Sequence, residues 1–256
     1  MSDRKSGPAI GFEDVTVRFD AVAALDGITV TLAGGSFVAI VGTSGSGKST
    51  LLRTINRLID PDEGAVSLGG HAVREENPVH LRRRIGYVFQ GVGLFPHMTV
   101  AQNIAIGLRL SGARDAAPRI AEMLALVDLP SSLGPRMPDQ LSGGQQQRVG
   151  VARALAPQPQ VLLMDEPFGA LDPVTRDALG KQVRALHDRL GLTTIMVTHD
   201  MAEALLLGDR VLVMAAGRIV ADGMPTDLLA GKGGAAADAL LAVPRDHARR
   251  LAALGA

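Results

Sequence analysis

Along the first third of the chain the apolar positions alternate with polar ones. Val15, Val17 and Phe19 fall on one side of an extended segment, and Ile28, Val30 and Leu32 on one side of the next. A period of two predicts half-buried antiparallel strands. Further on the apolar positions run together: Phe37–Val41, Val161–Met164, Ile195–Val197 and Val211–Met214. Short unbroken runs suit strands covered on both faces of a parallel sheet. Helical spacing follows several of them. Leu51, Leu52, Ile55, Leu58 and Ile59 make one stripe after Lys48, and Asp200 with Glu203 has capping-box spacing ahead of MAEALLLG. Strands alternating with helices predict an α/β core.

The stretch 91–150 breaks this rhythm. It holds helical patches at Val100–Leu110 and Pro118–Val127, punctuation at Pro96, Gly112, Pro130, Pro135 and Pro138, and no buried-strand run. It reads as a mainly helical insertion between two halves of the sheet. Residues 10–230 then form one domain, and the Ala-rich tail 231–256 is expected to be a short helix or partly disordered.

Composition narrows the function. With 26 basic and 26 acidic residues the formal net charge is zero, so no global field draws the chain to nucleic acid or an anionic bilayer. Aromatic residues make up 3%, too few for the stacking platforms that single-stranded nucleic acid favours. The chain has no cysteine, which excludes disulfides, thiolate-bound zinc and thiol catalysis and fits a cytosolic setting. The start, MSDRKSGPAI, lacks the apolar segment of a signal peptide. No apolar stretch approaches the roughly 20 residues of a membrane span. Any work at a membrane therefore requires a second, membrane-embedded chain.

Gly42, Thr43, Ser44, Gly45, Ser46, Gly47, Lys48 and Ser49 match G-x-x-x-x-G-K-[ST], placed between a buried apolar run and a helix. Glycines let the backbone wrap a phosphate with its N–H groups pointing inward. Lys48 is placed to neutralise the outer phosphates of a nucleotide and the Ser49 hydroxyl to ligate Mg²⁺. Another apolar run ends in two acids, Asp165 and Glu166. Neighbours on a strand point to opposite faces, so the two should differ in duty: Asp165 at the Mg²⁺ shell, Glu166 toward the γ-phosphate, polarising the attacking water.

Three further residues read ambiguously alone. Gln90, at the end of IGYVFQ, is a plain polar strand end or an Mg²⁺ ligand. His199, after IMVT, is a structural histidine or a γ-phosphate donor that holds the water–carboxylate geometry; a zinc site with Glu203 lacks a third ligand. Asp172 is a turn residue or a helix cap. Ser142, Gly143 and Gly144 open a second helix whose N–H groups and dipole favour an anion. The insertion separates this start from the 42–49 loop within one chain, which leaves a second copy of the chain lending its 142–145 turn across an interface.

At this point the sequence resembles the ATP-binding-cassette ATPases of membrane transporters, over roughly residues 10–230. The resemblance rests on GTSGSGKST through Thr50, the lone Gln90, LSGGQ at 141–145, VLLMDEP at 161–167, GALD at 169–172 and THD around His199. It implies a phosphate-loop core of mainly parallel sheet, with an antiparallel N-terminal portion and a helical subdomain. It further implies that two chains pair head to tail around two ATP molecules with Mg²⁺. Each ATP then lies between one chain's phosphate loop and the other's Ser142, Gly143, Gly144 and Gln145, with Asp172 nearby. Phe19 matches the position of an aromatic that stacks on adenine, where Tyr is commoner. The catalytic set is Glu166, His199, Lys48 and Gln90; the metal set is Ser49, Gln90 and Asp165.

The same resemblance implies permease subunits in the membrane, docked by the loop after Gln90, a substrate-binding protein acting through them, and a place at the cytoplasmic face of the inner membrane. The stretches 51–64 and 81–105 look like cassettes of importers for quaternary-amine osmoprotectants such as glycine betaine, choline or carnitine. Many of those carry a regulatory domain pair after the cassette; a chain ending at Ala256 is expected to have its regulation elsewhere. Other small polar solutes (an amino acid or a polyamine), a soluble cassette in repair or translation, and a phosphate-loop kinase or GTPase are the competing readings. The intact LSGGQ argues against the last.

Overall fold

The computed structural model describes residues 6–254 other than Val92, Arg114 and Ala170. Ala170 of the GALD turn and the last two residues of the tail thus lie outside the described residues. In chain order the elements are β1 (Ile10–Phe19), β2 (Val22–Leu32), β3 (Phe37–Gly42), α1 (Lys48–Ile55), β4 (Glu63–Leu68), β5 (His71–Ala72), α2 (Pro78–Arg83), β6 (Ile85–Val88), α3 (Val100–Leu110), α4 (Ala117–Leu126), α5 (Gly143–Leu155), β7 (Val161–Asp165), α6 (Pro173–Leu190), β8 (Thr193–Thr198), α7 (Met201–Leu207), β9 (Arg210–Ala215), β10 (Arg218–Gly223), α8 (Pro225–Leu229) and α9 (Gly234–Leu254).

Two sheets result. The alternating strands form an antiparallel sheet of order β2-β1-β4-β5, and the continuous runs form a six-stranded sheet of order β10-β9-β3-β8-β7-β6. In the larger sheet β9, β3, β8, β7 and β6 are parallel and only β10 runs against its neighbour. β3 shows why its run is unbroken. Phe37, Ala39 and Val41 enter a core shared with α3–α7, whereas Val38 and Ile40 enter a second core with α1 and the antiparallel sheet. Successive side chains point to opposite faces, and both faces are covered. Between β6 and β7, adjacent in the sheet, the described residues form helices and short turns only, from α3 to α5.

Several expectations need correction. The stripe after Lys48 ends at Ile55, because Arg57 takes a left-handed φ of 54° that breaks the helix; Leu58 is half exposed. Phe19 does not share the fate of Val15 and Val17. They are buried, but it sits 52% exposed where β1 turns into β2. Glu203 does not complete a capping box: Asp200 caps α7 from one side, and the Glu203 carboxylate accepts from the Thr198 hydroxyl at 2.7 Å. The tail forms a 21-residue helix, α9, with Ala237 and Leu241 in the main core. The basic run at 82–84 lies at the surface, with Arg82 and Arg83 exposed, yet its side chains are tied to the fold. Arg82 donates to the carbonyls of Asn56 and Arg57, Arg83 to that of Leu110, and Arg84 pairs with Glu76. Arg82 and Arg83 thus satisfy carbonyls at the ends of α1 and α3 that those helices leave orphaned.

His187 adds a pH-dependent element to this core. It is 3% exposed, packs edge-on against Phe37 at 5.3 Å, and its Nδ1 shares a hydrogen bond with Thr194 Oγ1. Burial, helped by the nearby Arg184 charge, lowers its pKa. The folded state therefore resists a proton that the unfolded chain accepts near pH 6.5. The stabilisation is complete above that pH and is lost as pH falls through the folded value. Urea titrations from pH 8 downward should show the unfolding free energy falling below about pH 6.5, with a slope from this one proton of at most about 1.4 kcal/mol per pH unit. In His187→Gln that component of the slope should vanish.

Candidate functional site

Parallel strands deliver the functional residues to one edge. Val41 is in register with Thr198, Asp165 with Val197, and Val88 with Met164. The loop after Gly42, the acids after Met164, His199 and the segment after Val88 consequently leave the sheet at the carboxyl ends of adjoining strands, where open α/β sheets place ligands.

The loop from Gly42 wraps onto the start of α1. Gly47 takes a φ of 97°, and a Cβ there would overlap the Ala24 carbonyl oxygen, so only glycine fits. Thr43, Ser44 and Gly45 are exposed, Ser46 is buried, and Ser49 and Thr50 lie half-buried in the first turn. Lys48 is 5% exposed and curls inside the loop. Its Nζ donates to Gly42 O at 2.8 Å and Thr43 O at 2.9 Å, and lies 3.4 Å from Ser46 Oγ. Burial lowers the lysine pKa, while the charges of Glu166 and Asp165 act against that shift.

Asp165, 2% exposed, ends β7. Its Oδ1 accepts from the Ser49 hydroxyl at 2.7 Å. Its Oδ2 accepts from the Tyr87 hydroxyl at 3.2 Å and faces the Arg53 guanidinium at 3.7 Å. Burial and the Asp165 charge push the Tyr87 hydroxyl up to about 12, so it remains a protonated donor. Glu166 does not continue the strand. It adopts a left-handed φ of 45° while its N–H donates to Val197 O at 2.9 Å. The divergence of the two carboxylates thus comes from this backbone kink and not from strand alternation. Glu166 Oε2 becomes a meeting point: the Gln90 amide nitrogen donates to it at 3.1 Å and His199 Nδ1 lies 3.5 Å away. The His199 side chain is 61% exposed and open to a ligand.

Ser49 and Asp165 offer two hard oxygen donors side by side, a pair suited to Mg²⁺, which is commonly held by one or two protein ligands plus phosphate oxygens. Among the described residues no cluster of three or more His, Cys, Asp or Glu could hold a metal by itself.

The remaining residues stand apart. Asp172 is the N-cap of α6, accepting from the N–H groups of Val174 and Thr175 at 3.1 and 3.0 Å; hydrogen bonds from Thr175, its side chain first, lower its pKa. Ser142 caps α5, and with Gln145 it forms a reciprocal capping box. Gln145 is thereby committed to its own helix. The first-turn N–H groups of Gly143 and Gly144 lack intrahelical partners. A Cβ on Gly144 would crowd the Thr175 methyl, so glycine lets α5 start close against the first turn of α6. No hydrogen bond or ion pair among the described residues joins the Ser142–Gln145 turn to the Gly42–Ser49 loop. Phe19 stands exposed at the last position of β1, paired with the exposed Val22.

Sequence reasoning missed Tyr87 and Arg53 at Asp165. It also missed Arg176, which donates to Leu171 O and pairs with Asp200 and Glu203 at 3.6 and 3.5 Å, tying the Asp172 turn to the segment after His199. The available signal for Tyr87 was its rarity, since it is the sole tyrosine. The others carry no sequence signal.

A model of the ABC transporter family matches residues 25–169. The chain is 50% identical over 222 residues to the glycine betaine uptake system ATP-binding protein YehX of Escherichia coli (strain K12), covering 86% of this chain and 72% of that one. It is 47% identical over 208 residues to the choline transport ATP-binding protein OpuBA of Bacillus subtilis (strain 168), covering 80% and 55%. It is also 49% identical over 222 residues to a sulfate/thiosulfate import ATP-binding protein, CysA of Caulobacter vibrioides, covering 84% and 65%. The chain thus spans between about half and three quarters of the length of these curated relatives. Among solved structures, a dimeric post-hydrolysis state of the ATP-binding cassette MJ0796 bound to ADP and Pi matches with a TM-score of 0.76 and 33% identity, covering 84% of this chain and 98% of that one.

Proposed function

Because the chain belongs to the ABC transporter family of ATP-binding proteins, we propose that it binds and hydrolyses ATP as the energy-coupling subunit of a bacterial importer for a quaternary-amine osmoprotectant. The carrying observation is the meeting of Gln90 and His199 on Glu166 Oε2, beside the Ser49–Asp165 pair and the mouth of the Lys48 loop. Residues 10–230 act as the cassette and 231–256 as an appended tail.

The roles follow from the contacts. Loop N–H groups and Lys48 grip the phosphates. Ser49 and Asp165 would hold Mg²⁺, with Gln90 as a further ligand, and the cation would supply charge neutralisation at the phosphates. Glu166 orients a water and accepts its proton, and His199 donates to the γ-phosphate while keeping Glu166 aligned. Phe19 is exposed as an adenine platform must be. Gly143 and Gly144, next to the Ser142 cap, present first-turn helix N–H groups and the positive end of a dipole, suited to the γ-phosphate of an ATP bound by a second copy, with Asp172 at the same seam. Closure around ATP drives permease subunits between two states, which requires that the closed pair bind ATP more tightly than the open one.

No helix among the described residues is long and apolar enough to cross a membrane, so the proposal places the chain on permease subunits at the cytoplasmic face of the inner membrane. The docking face is the cavity of about 460 Å³ lined by Arg83, Tyr87, Gly107, Leu110 and Arg153, next to the exposed Phe89 and Phe95 that flank the loop after Gln90. The cargo reading draws on the betaine and choline relatives; the sulfate/thiosulfate relative favours a second, anionic cargo. Proteoliposomes carrying this chain with its permease subunits and a substrate-binding protein separate them. Glycine betaine or choline should stimulate ATP turnover severalfold and sulfate should not. Stimulation by sulfate alone would reverse the assignment.

A further inference from the structure

Asp165 is held on both sides. Ser49 occupies Oδ1, and the other oxygen is bound by a residue from a neighbouring strand, Tyr87 of β6. The tyrosine ring is itself fixed. It lies 4.6 Å from the Phe89 ring, tilted by 50°, and Phe89 in turn has the Arg153 guanidinium over its face at 5.8 Å. A ring held by such packing gives its hydroxyl a set direction. Arg53 also reaches Asp165 Oδ2, but at 3.7 Å and from a side chain 46% exposed, so it is a screened, weaker restraint. The buried oxygen of a 2%-exposed carboxylate thus depends chiefly on one phenol.

We propose that Tyr87 is a positioning residue for the divalent-cation carboxylate: its hydroxyl fixes Oδ2 of Asp165, so that Oδ1 stays turned toward Ser49 and the phosphate loop. Tyr87 touches neither nucleotide nor cation in this scheme. It acts through Asp165, as outer partners orient ligating carboxylates elsewhere, where their loss costs about 10–100-fold in metal affinity. The inference rests on the assignment of Asp165 to Mg²⁺ given above.

Tyr87→Phe removes one oxygen and keeps the ring on Phe89, and thermal unfolding of the full-length variant verifies that the fold survives. ATP affinity is then measured by calorimetry in EDTA and across a Mg²⁺ titration, with Asp165→Asn in parallel. Tyr87→Phe should leave the EDTA affinity unchanged and raise the Mg²⁺ concentration for half-maximal tightening about tenfold. If Tyr87→Phe titrates like the parent while Asp165→Asn loses its Mg²⁺ dependence, the role of Tyr87 is overturned and the metal assignment stands. If Asp165→Asn keeps the parent's Mg²⁺ dependence, the metal assignment falls and takes this inference with it. Spectroscopy supplies a readout that ring packing alone would not move. The chain has one tyrosine and no tryptophan, so its intrinsic emission reports Tyr87 alone. A phenol bonded to a carboxylate emits weakly, and Asp165→Asn should brighten it; unchanged emission would speak against the bond.

Discussion

ATP turnover by the Glu166→Gln protein should fall about 10²–10⁴-fold with ATP binding retained, the range set by loss of a general base. The substitution keeps the shape of the side chain and a carbonyl oxygen able to accept from Gln90, but removes the charge that takes the proton from water. Binding survives because the Lys48 loop, Ser49 and Asp165 are untouched; they belong to β3, α1 and β7, whereas Glu166 stands past the kink that ends β7. A chain that binds but does not hydrolyse cannot reopen its closed pair. Size-exclusion chromatography with ATP and Mg²⁺ should therefore show a stable dimer for Glu166→Gln and mostly monomer for the parent. A Glu166→Gln protein that elutes as a monomer under every nucleotide condition would remove Glu166 from the role assigned to it.

A mixed dimer offers an equally large effect with the opposite sign. Lys48→Ala strips the buried cation from the phosphate loop, and a charge-assisted bond of that kind is worth about 1.5–3 kcal/mol. Ser142→Arg puts a long cation at the start of α5, where the helix dipole disfavours it and where its bulk covers the Gly143 and Gly144 N–H groups. Each homodimer should be inactive. Pairing one Lys48→Ala chain with one Ser142→Arg chain gathers both lesions into a single site and leaves the other whole, if each site takes its loop from one chain and its 142–145 turn from the other. About half of parental activity should return in tandem-affinity-purified heterodimers. Sites contained within one chain would both remain dead.

Most of the framework was legible from the order of apolar residues. The four continuous runs became the buried strands of the large sheet, since residues alternating between two covered faces must all be apolar. Val100–Leu110 became α3 with those bounds because Thr99 and Gln102 form the capping box that starts it. What stayed hidden was set by backbone geometry or by distance along the chain. Nothing in the Asp165–Glu166 pair announces the left-handed kink that separates the two acids. Nothing in the run Arg82–Arg84 names its partners, and only the folded chain brings Arg82 and Arg83 to the carbonyls at the ends of α1 and α3. Tyr87 and Asp165 lie 78 residues apart, joined by the neighbouring strands that carry them. Periodicity placed Phe19 with Val15 and Val17, but the bulged, ending strand turns it outward.

The lysine curled inside its own loop carries a consequence for stability. Its ammonium bonds to the Gly42 and Thr43 carbonyls and so cross-links the socket to the first residue of α1. Changes that slacken the socket should thus weaken the empty protein as well as its grip, so thermal stability measured without ligand becomes a proxy for how well the receptacle is kept in shape.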